Sequence, residues 1–166
     1  MKKAFTIIEV LVSVVLLGLI SLFIASTISQ TKGNNKLFEN RVKNDKKLES
    51  LVDILYDDIY FSKSITVEGL KKYSLLHVKS KNSIYGIDEP YMIWLVLKDK
   101  NRIIRMESAK KITLPLQDNM KKFVFIDEGM KNCEHFTVNI SKNKKRILLY
   151  LQIKNKKPII FEIEKL

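Results

Sequence analysis

FTIIEVLVSVVLLGLISLFIASTI, residues 5–28, is an apolar run that contains a single charged side chain, Glu9. As a helix this run would extend about 36 Å at ~1.5 Å per residue, enough to cross a hydrocarbon layer about 30 Å thick. Lys2 and Lys3 precede the run, so the positive-inside rule predicts a cytoplasmic N-terminus. The rest of the 166-residue chain should then lie on the other side of the inner membrane.

A cleaved secretory signal peptide also combines a basic start with an apolar run. The run here is about twice the length of the apolar segment of a signal peptide. No small-x-small cleavage site follows it, since Ala25 stands alone. We therefore favour a helix that stays in the membrane.

Glu9 is the most informative residue of the apolar run. A carboxylate at this depth costs about 3 kcal/mol on membrane-insertion scales, so it should have a partner. The next basic residue is Lys32, on the far side of the membrane, which leaves Glu9 without a partner in its own chain. If the chain were cut before Phe5, the new amino group would lie at the depth of Glu9 in a neighbouring copy. An ion pair between the two groups would compensate both charges and fix the axial register of the subunits.

Residues 2–12, KKAFTIIEVLV, resemble the prepilin cleavage and methylation motif of the type IV pilins and type II secretion pseudopilins. The resemblance implies that a prepilin peptidase cuts between Ala4 and Phe5 on the cytoplasmic face. It also implies that the peptidase methylates the new Phe5 amine. Lys2 and Lys3 would belong to the leader that is removed.

In this family the N-terminal helix carries subunit assembly, so the resemblance assigns Phe5 and Glu9 to that role. The implied partners are other pilins or pseudopilins, the prepilin peptidase and an inner-membrane assembly platform with a cytoplasmic ATPase. The sequence departs from the family at two positions. Ala4 replaces the usual glycine before the cut, and Ser26 stands where major pilins often have a proline that kinks the helix.

Residues 29–62 are predicted to continue the helix as an amphipathic segment. Residues 32–36, KGNNK, are poor helix formers and form either a compliant neck or a plain surface loop. The apolar side chains that follow fall mostly at three- and four-residue steps, which predicts a stripe seated against a sheet. These side chains are Phe38, Val42, Leu48, Val52, Leu55 and Ile59.

From Leu75 onward the chain changes to segments rich in β-branched and aromatic residues, separated by short polar turns. The turns at residues 99–101, 143–144 and 155–157 predict three antiparallel hairpins. The number of strands resembles the minor pseudopilins of the J type more than the compact major subunit. The predicted strands are residues 75–79, 91–98, 102–107, 123–126, 136–141, 146–153 and 159–164.

These elements predict an α+β fold, a pilin-like ladle in which a long N-terminal transmembrane helix packs on an antiparallel β-sheet head. The predicted organisation has four parts. A prepilin leader spans residues 1–4, the transmembrane and assembly helix residues 5–30, the amphipathic continuation residues 31–62, and the periplasmic head residues 63–166.

The sequence contains no nucleophile elbow, phosphate-binding glycine loop or metal-spaced cluster, so we expect neither an enzyme nor a cofactor. His77 is interpreted as a half-buried residue of a strand. Cys133 and His135 would share a face of a strand, but two ligands are too few for a structural zinc site. The lysine-rich residues 142–157 do not fit the calcium loop of major pseudopilins, so no metal site is predicted.

Charge is the remaining functional signal, because the chain has 30 Lys or Arg residues and 18 Asp or Glu residues, a formal charge of +12. A basic head could attract nucleic-acid phosphates. Lysine dominates the excess, however, whereas arginine is preferred for bidentate phosphate recognition. The candidate nucleic-acid contacts are Lys142, Lys144, Lys145, Arg146, Lys154, Lys156 and Lys157.

The sequence therefore predicts a minor pilin or pseudopilin, a non-enzymatic subunit of a type II secretion, type IV pilus or competence machine. Such a subunit would first reside in the inner membrane and then enter a periplasmic filament. The alternative is a monomeric, signal-anchored periplasmic protein whose basic head binds nucleic acid or a partner protein.

Overall fold

The computed structural model describes residues 6–69, 72–143 and 145–164. Contacts divide the chain into two units, Met1–Asp45 and Lys46–Leu166. Helix α1 (Ile7–Tyr60) contributes to both units, and all of the strands belong to the second. The predicted weak joint at residues 32–36 does not interrupt the helix, which is continuous there.

In the first unit, α1 is long and apolar enough to cross a membrane, and its described residues are all exposed. Three hydroxyl groups within the apolar run donate hydrogen bonds to backbone carbonyls four residues earlier in the same helix. Ser13 donates to Glu9 over 2.7 Å, Ser21 to Leu17 over 2.8 Å, and Thr27 to the carbonyl of residue 23 over 2.9 Å. The helix therefore satisfies these polar groups itself, as an apolar environment requires.

In the second unit, residues 46–60 of α1 pack against two antiparallel sheets. The five-stranded sheet has the order β1-β2-β3-β4-β5, the three-stranded sheet has the order β6-β7-β8, and an isolated parallel bridge joins Tyr73 to Phe136. The strands and the short helix are β1 (Ser62–Gly69), β2 (Ser74–Ser80), β3 (Tyr91–Leu97), β4 (Arg102–Ser108), α2 (Asp118–Lys121), β5 (Phe125–Glu128), β6 (Cys133–Ile140), β7 (Arg146–Ile153) and β8 (Ile159–Glu164).

The main core lies between α1 and the two sheets. Leu55 and Ile59 of the helix are fully buried there, as are Leu76 of β2 and Phe136 of β6. A second apolar cluster covers the other face of the five-stranded sheet, where residues 109–124 bring Ile112 onto β3 and β4. Both faces of this sheet are therefore partly covered, which explains why β3 and β4 are buried over most of their length.

The predicted α+β class, with a long N-terminal apolar helix and a helix-packed antiparallel sheet head, is confirmed. The three predicted hairpins are also present, as the pairs β3–β4, β6–β7 and β7–β8. The structure adds strand β1 and divides the head strands between two sheets. It also moves β5 to Phe125–Glu128, two residues beyond the predicted start.

Gly129 lies against both α1 and β4. A Cβ atom at this position would meet the Leu51 Cδ1 atom at 2.5 Å and the Ile103 Cγ2 atom at 2.7 Å. We expect Gly129→Ala to lower the free energy of unfolding by about 1–3 kcal/mol, because the Leu51 and Ile103 side chains must move and the Ile103 carbonyl oxygen lies only 3.0 Å from the added carbon. Urea unfolding followed by the fluorescence of Trp94 measures this loss.

Gly69→Ala is the matched control, since a Cβ there meets no atom within 4 Å. We expect that change to alter the free energy of unfolding by less than about 0.5 kcal/mol. Equal stability of the two variants would contradict the close helix–sheet approach.

Candidate functional site

The N-terminus of α1 is closed by reciprocal hydrogen bonds between Thr6 and Glu9. The backbone N–H of Thr6 donates to Glu9 Oε2 over 2.9 Å, and the Thr6 hydroxyl donates to the same oxygen over 3.0 Å. In return, the backbone N–H of Glu9 donates to Thr6 Oγ1 over 3.4 Å. This arrangement is a capping box, which satisfies backbone donors that a helix start leaves free.

The capping box corrects one expectation from the sequence. Glu9 does have partners in its own chain, because Thr6 supplies two donors to its carboxylate. What the carboxylate lacks, among residues 6–69, 72–143 and 145–164, is a cation within ion-pair distance. Within the described part of the chain, its negative charge therefore has no opposite charge.

The predicted leader residues Lys2 and Lys3 and the predicted cleavage and methylation residues Ala4 and Phe5 lie outside the described residues. The cut, the methylation and the pairing of the Phe5 amine with Glu9 therefore stay predictions. Since the capping box uses only Thr6 and Glu9, a cut before Phe5 would leave both of its residues in the mature chain.

The apolar side chains around the capped end form a continuous exposed surface along α1. Ile7 is 88% exposed, Leu17 69% and Phe23 73%, although each is strongly hydrophobic. An exposed apolar surface of this length marks a site of contact with lipid or with other apolar protein surfaces.

In the second unit, a buried guanidinium joins α1 to the five-stranded sheet. Arg105 of β4 contacts Asp58 of α1 through two hydrogen bonds, from Nε to Oδ2 over 2.7 Å and from an outer nitrogen to Oδ1 over 3.2 Å. Its other outer nitrogen lies 2.6 Å from Glu107 Oε2 and 3.2 Å from Asp127 Oδ2. Asp58 and Glu107 are fully buried, and Asp127 is about one-third exposed.

Neutral donors complete the hydrogen bonding of this cluster. The Trp94 indole N–H donates to Asp58 Oδ2 over 2.9 Å, and the Asn82 amide donates to Asp58 Oδ1 over 2.8 Å. The Ser83 hydroxyl donates to Glu107, and the Tyr85 hydroxyl donates to Asp127. The carboxylates thus have their partners within the fold, so the cluster binds helix to sheet rather than presenting a reactive group.

The pKa shifts of Asp58 and Arg105 agree with a structural role for this ion pair. Burial raises the pKa of the Asp58 carboxyl and outweighs the opposing effect of its hydrogen bonds and of the Arg105 charge. Burial lowers the pKa of the Arg105 guanidinium, but Asp58 and Glu107 outweigh it and raise that pKa above its usual value. Arg105 is therefore charged at any physiological pH.

The sequence did not single out this cluster, although one signal was available. Asp58 directly precedes Ile59 and follows Leu55 by three residues, so it lies on the buried side of the helix. A charge at such a position needs a buried partner. Its partner lies 47 residues further on, which the helical pattern alone does not reveal.

The expectation that Cys133 and His135 share a face of a strand was wrong. The pairing of β6 with β7 shifts register between these two residues, a β-bulge that leaves Cys133 buried and His135 exposed. Burial raises the pKa of the Cys133 thiol to about 12. In the described part of the chain no group of three or more His, Cys, Asp and Glu residues is arranged to hold a metal ion. His77 is half-buried in β2, with Nε2 3.5 Å from Glu68 Oε1.

The structure separates the lysine clusters predicted to contact nucleic acid. One cluster lies at the β6–β7 turn and the other at the β7–β8 turn. Because β7 is antiparallel to both neighbours, these turns are at opposite ends of an eight-residue strand, about 25 Å apart. Lys142, Lys145 and Arg146 belong to the first turn, Lys154, Lys156 and Lys157 to the second, and Lys144 lies outside the described residues.

Comparison with models of known protein families, with curated protein sequences and with solved structures finds no match. The long apolar helix followed by antiparallel sheets is consistent with a pilin-like architecture.

Proposed function

We propose that the chain is a minor pilin or pseudopilin, a non-enzymatic subunit of a type IV filament-family machine. It would insert into the inner membrane through the apolar part of α1, with a cytoplasmic N-terminus and a periplasmic head. A prepilin peptidase would remove residues 1–4 and methylate Phe5. The mature subunit would then enter a filament of a type II secretion, type IV pilus or competence system.

The observation that carries the proposal is the position of Glu9. It lies in the first turn of an exposed apolar helix, and its carboxylate has hydrogen-bond donors but no cation within reach in the described residues. Keeping such a charge in a membrane helix is costly, so an opposite charge should compensate it. The α-amino group of a cleaved neighbouring subunit would be that opposite charge.

Assembly would draw its free energy from the exposed apolar surface of α1, which neighbouring helices would bury in place of lipid. Contact between the Phe5 amine of one copy and Glu9 of the next would fix the axial register. The capping box suits this role, since it holds the carboxylate at the helix end where the new amine would lie.

Mass spectrometry of the mature protein tests the proposal. We expect protein purified from membranes of its native host to lack residues 1–4 and to carry one methyl group on Phe5. Deletion of the prepilin peptidase should restore the intact N-terminus. Mature protein that begins at Met1 in peptidase-positive cells would instead support the monomeric, signal-anchored alternative.

A further inference from the structure

Four segments that are distant in the sequence meet at one end of the second unit. The backbone N–H of Cys133 donates to the Asn101 carbonyl over 2.7 Å, and that of Lys154 donates to the Asn132 carbonyl over 2.9 Å. The backbone N–H of Phe136 donates to the Lys72 carbonyl over 3.2 Å. The start of β2, the β3–β4 turn, the β5–β6 connection and the β7–β8 turn therefore adjoin.

Each of these segments exposes lysine, and we call the resulting surface the basic end. None of its lysines forms an ion pair with any residue among 6–69, 72–143 and 145–164. Asp99 lies within the same four segments, and Glu134 follows the β5–β6 connection near Lys72. The lysines outnumber these two acids, so the surface carries a net positive charge. The basic end consists of Lys72, Lys98, Lys100, Lys131, Lys154 and Lys157.

The turns that carry these lysines are fixed by the fold. Asn101, Asn132 and Asn155 adopt left-handed backbone conformations, with φ of 43°, 60° and 62°. Asparagine tolerates this region better than most residues. The Tyr73 hydroxyl lies 3.3 Å from both Asn101 Oδ1 and the Cys133 carbonyl oxygen, which ties two segments together. A charged surface on fixed turns loses little backbone entropy when it binds.

From this arrangement we infer that the basic end binds the phosphate backbone of duplex DNA without sequence specificity. Such binding comes mainly from lysines that contact DNA phosphates and thereby release the counterions condensed on the DNA. Protein–protein interfaces are instead depleted in lysine and rich in aromatic residues. Lipid-binding surfaces usually add several apolar side chains that insert between headgroups. Here Tyr73 and Met130 are buried, and Leu97, next to Lys98, is exposed at 36%.

This assignment replaces the contact set expected from the sequence. It keeps Lys154 and Lys157 but adds lysines from three other segments. It leaves out the β6–β7 turn at the opposite end of β7, where Arg146 lies 3.6 Å from Glu162 and 3.7 Å from Glu164. The inference does not depend on filament assembly, because the basic end belongs to a single copy.

The test uses the full chain in phosphatidylcholine nanodiscs and a fluorescently labelled 24-base-pair duplex, with binding measured by anisotropy between 50 and 200 mM NaCl. We expect the logarithm of the affinity to fall linearly with the logarithm of salt concentration, with a slope of about −4. The variant K100Q/K131Q/K154Q/K157Q should bind at least about tenfold more weakly at 50 mM salt, with a slope closer to zero by about 3 to 4.

The control variant K81Q/K110Q/K111Q/K142Q removes the same charge from exposed lysines beyond the opposite strand ends. It should weaken binding less than about threefold, since those lysines would not touch the phosphates. Circular dichroism should show the same thermal unfolding for both variants and the wild type. Absence of wild-type binding at 50 mM salt, or equal losses in the two variants, would overturn the inference. Vesicles containing phosphatidylglycerol should displace less labelled duplex than unlabelled duplex does at equal phosphate concentration, and equal displacement would also overturn it.

Discussion

Arg105→Met should lower the free energy of unfolding of the second unit by about 3–5 kcal/mol. The methionine fills a similar volume but leaves Asp58 and Glu107 buried without their cation, and an uncompensated buried charge costs this much. Urea unfolding of the detergent-solubilised chain, followed by the fluorescence of Trp94, measures the loss. Because Trp94 donates to Asp58, its emission reports the same region.

Two further variants distinguish the cost of an uncompensated buried charge from the general cost of replacing an arginine. Arg146→Met removes a guanidinium that is 61% exposed and should cost less than about 1 kcal/mol. The triple change R105M/D58L/E107L replaces the charged groups together and should recover at least half of the loss, since an apolar replacement of a buried ion cluster is often tolerated. A triple variant less stable than Arg105→Met would contradict this account of the cluster.

Glu9→Ala should leave membrane insertion intact or improved and reduce incorporation into filaments at least tenfold. The change removes the carboxylate proposed to pair with the Phe5 amine of a neighbour, and it also removes the acceptor of the capping box. Carbonate extraction of membranes measures insertion. Immunoblots of sheared filaments from the native host, expressed relative to total protein, measure incorporation.

The capping box calls for two controls, because loss of a helix cap alone costs about 1 kcal/mol. Glu9→Gln keeps an oxygen acceptor for Thr6 but removes the charge, so it should fail in assembly as Glu9→Ala does. Thr6→Ala removes the capping hydroxyl but keeps the carboxylate, so it should assemble nearly as well as the wild type. Normal assembly of Glu9→Gln would show that the charge is not what the filament requires.

The parts of the fold that sequence predicts well are those set by neighbouring residues. Strands β7 and β8 occupy the predicted bounds, because runs of apolar and aromatic residues bounded by a short polar turn define them locally. Strand β1 was not predicted, and its first residue, Ser62, was assigned to the preceding helix. Its residues Ser62–Gly69 alternate only weakly and gain their structure by pairing with β2.

The parts that sequence predicts poorly depend on distant contacts. Residues 102–107 were correctly read as a strand, but alternation alone could not tell that Arg105 and Glu107 face the helix. Both faces of β4 are covered, so the usual contrast between a polar and an apolar face is lost. The grouping of lysines at one end of the head could not be predicted from the sequence either, because it depends on how the strands are paired.

Three hydroxyl groups of the apolar run, those of Ser13, Ser21 and Thr27, each donate to a carbonyl one turn earlier in their own helix. Their protons are therefore already engaged and would not be donated to a neighbouring helix. In a filament of the proposed subunits, contacts along the apolar run would therefore come mainly from the packing of hydrocarbon side chains. The charge of Glu9 near the cytoplasmic end would add the electrostatic contribution to their axial register.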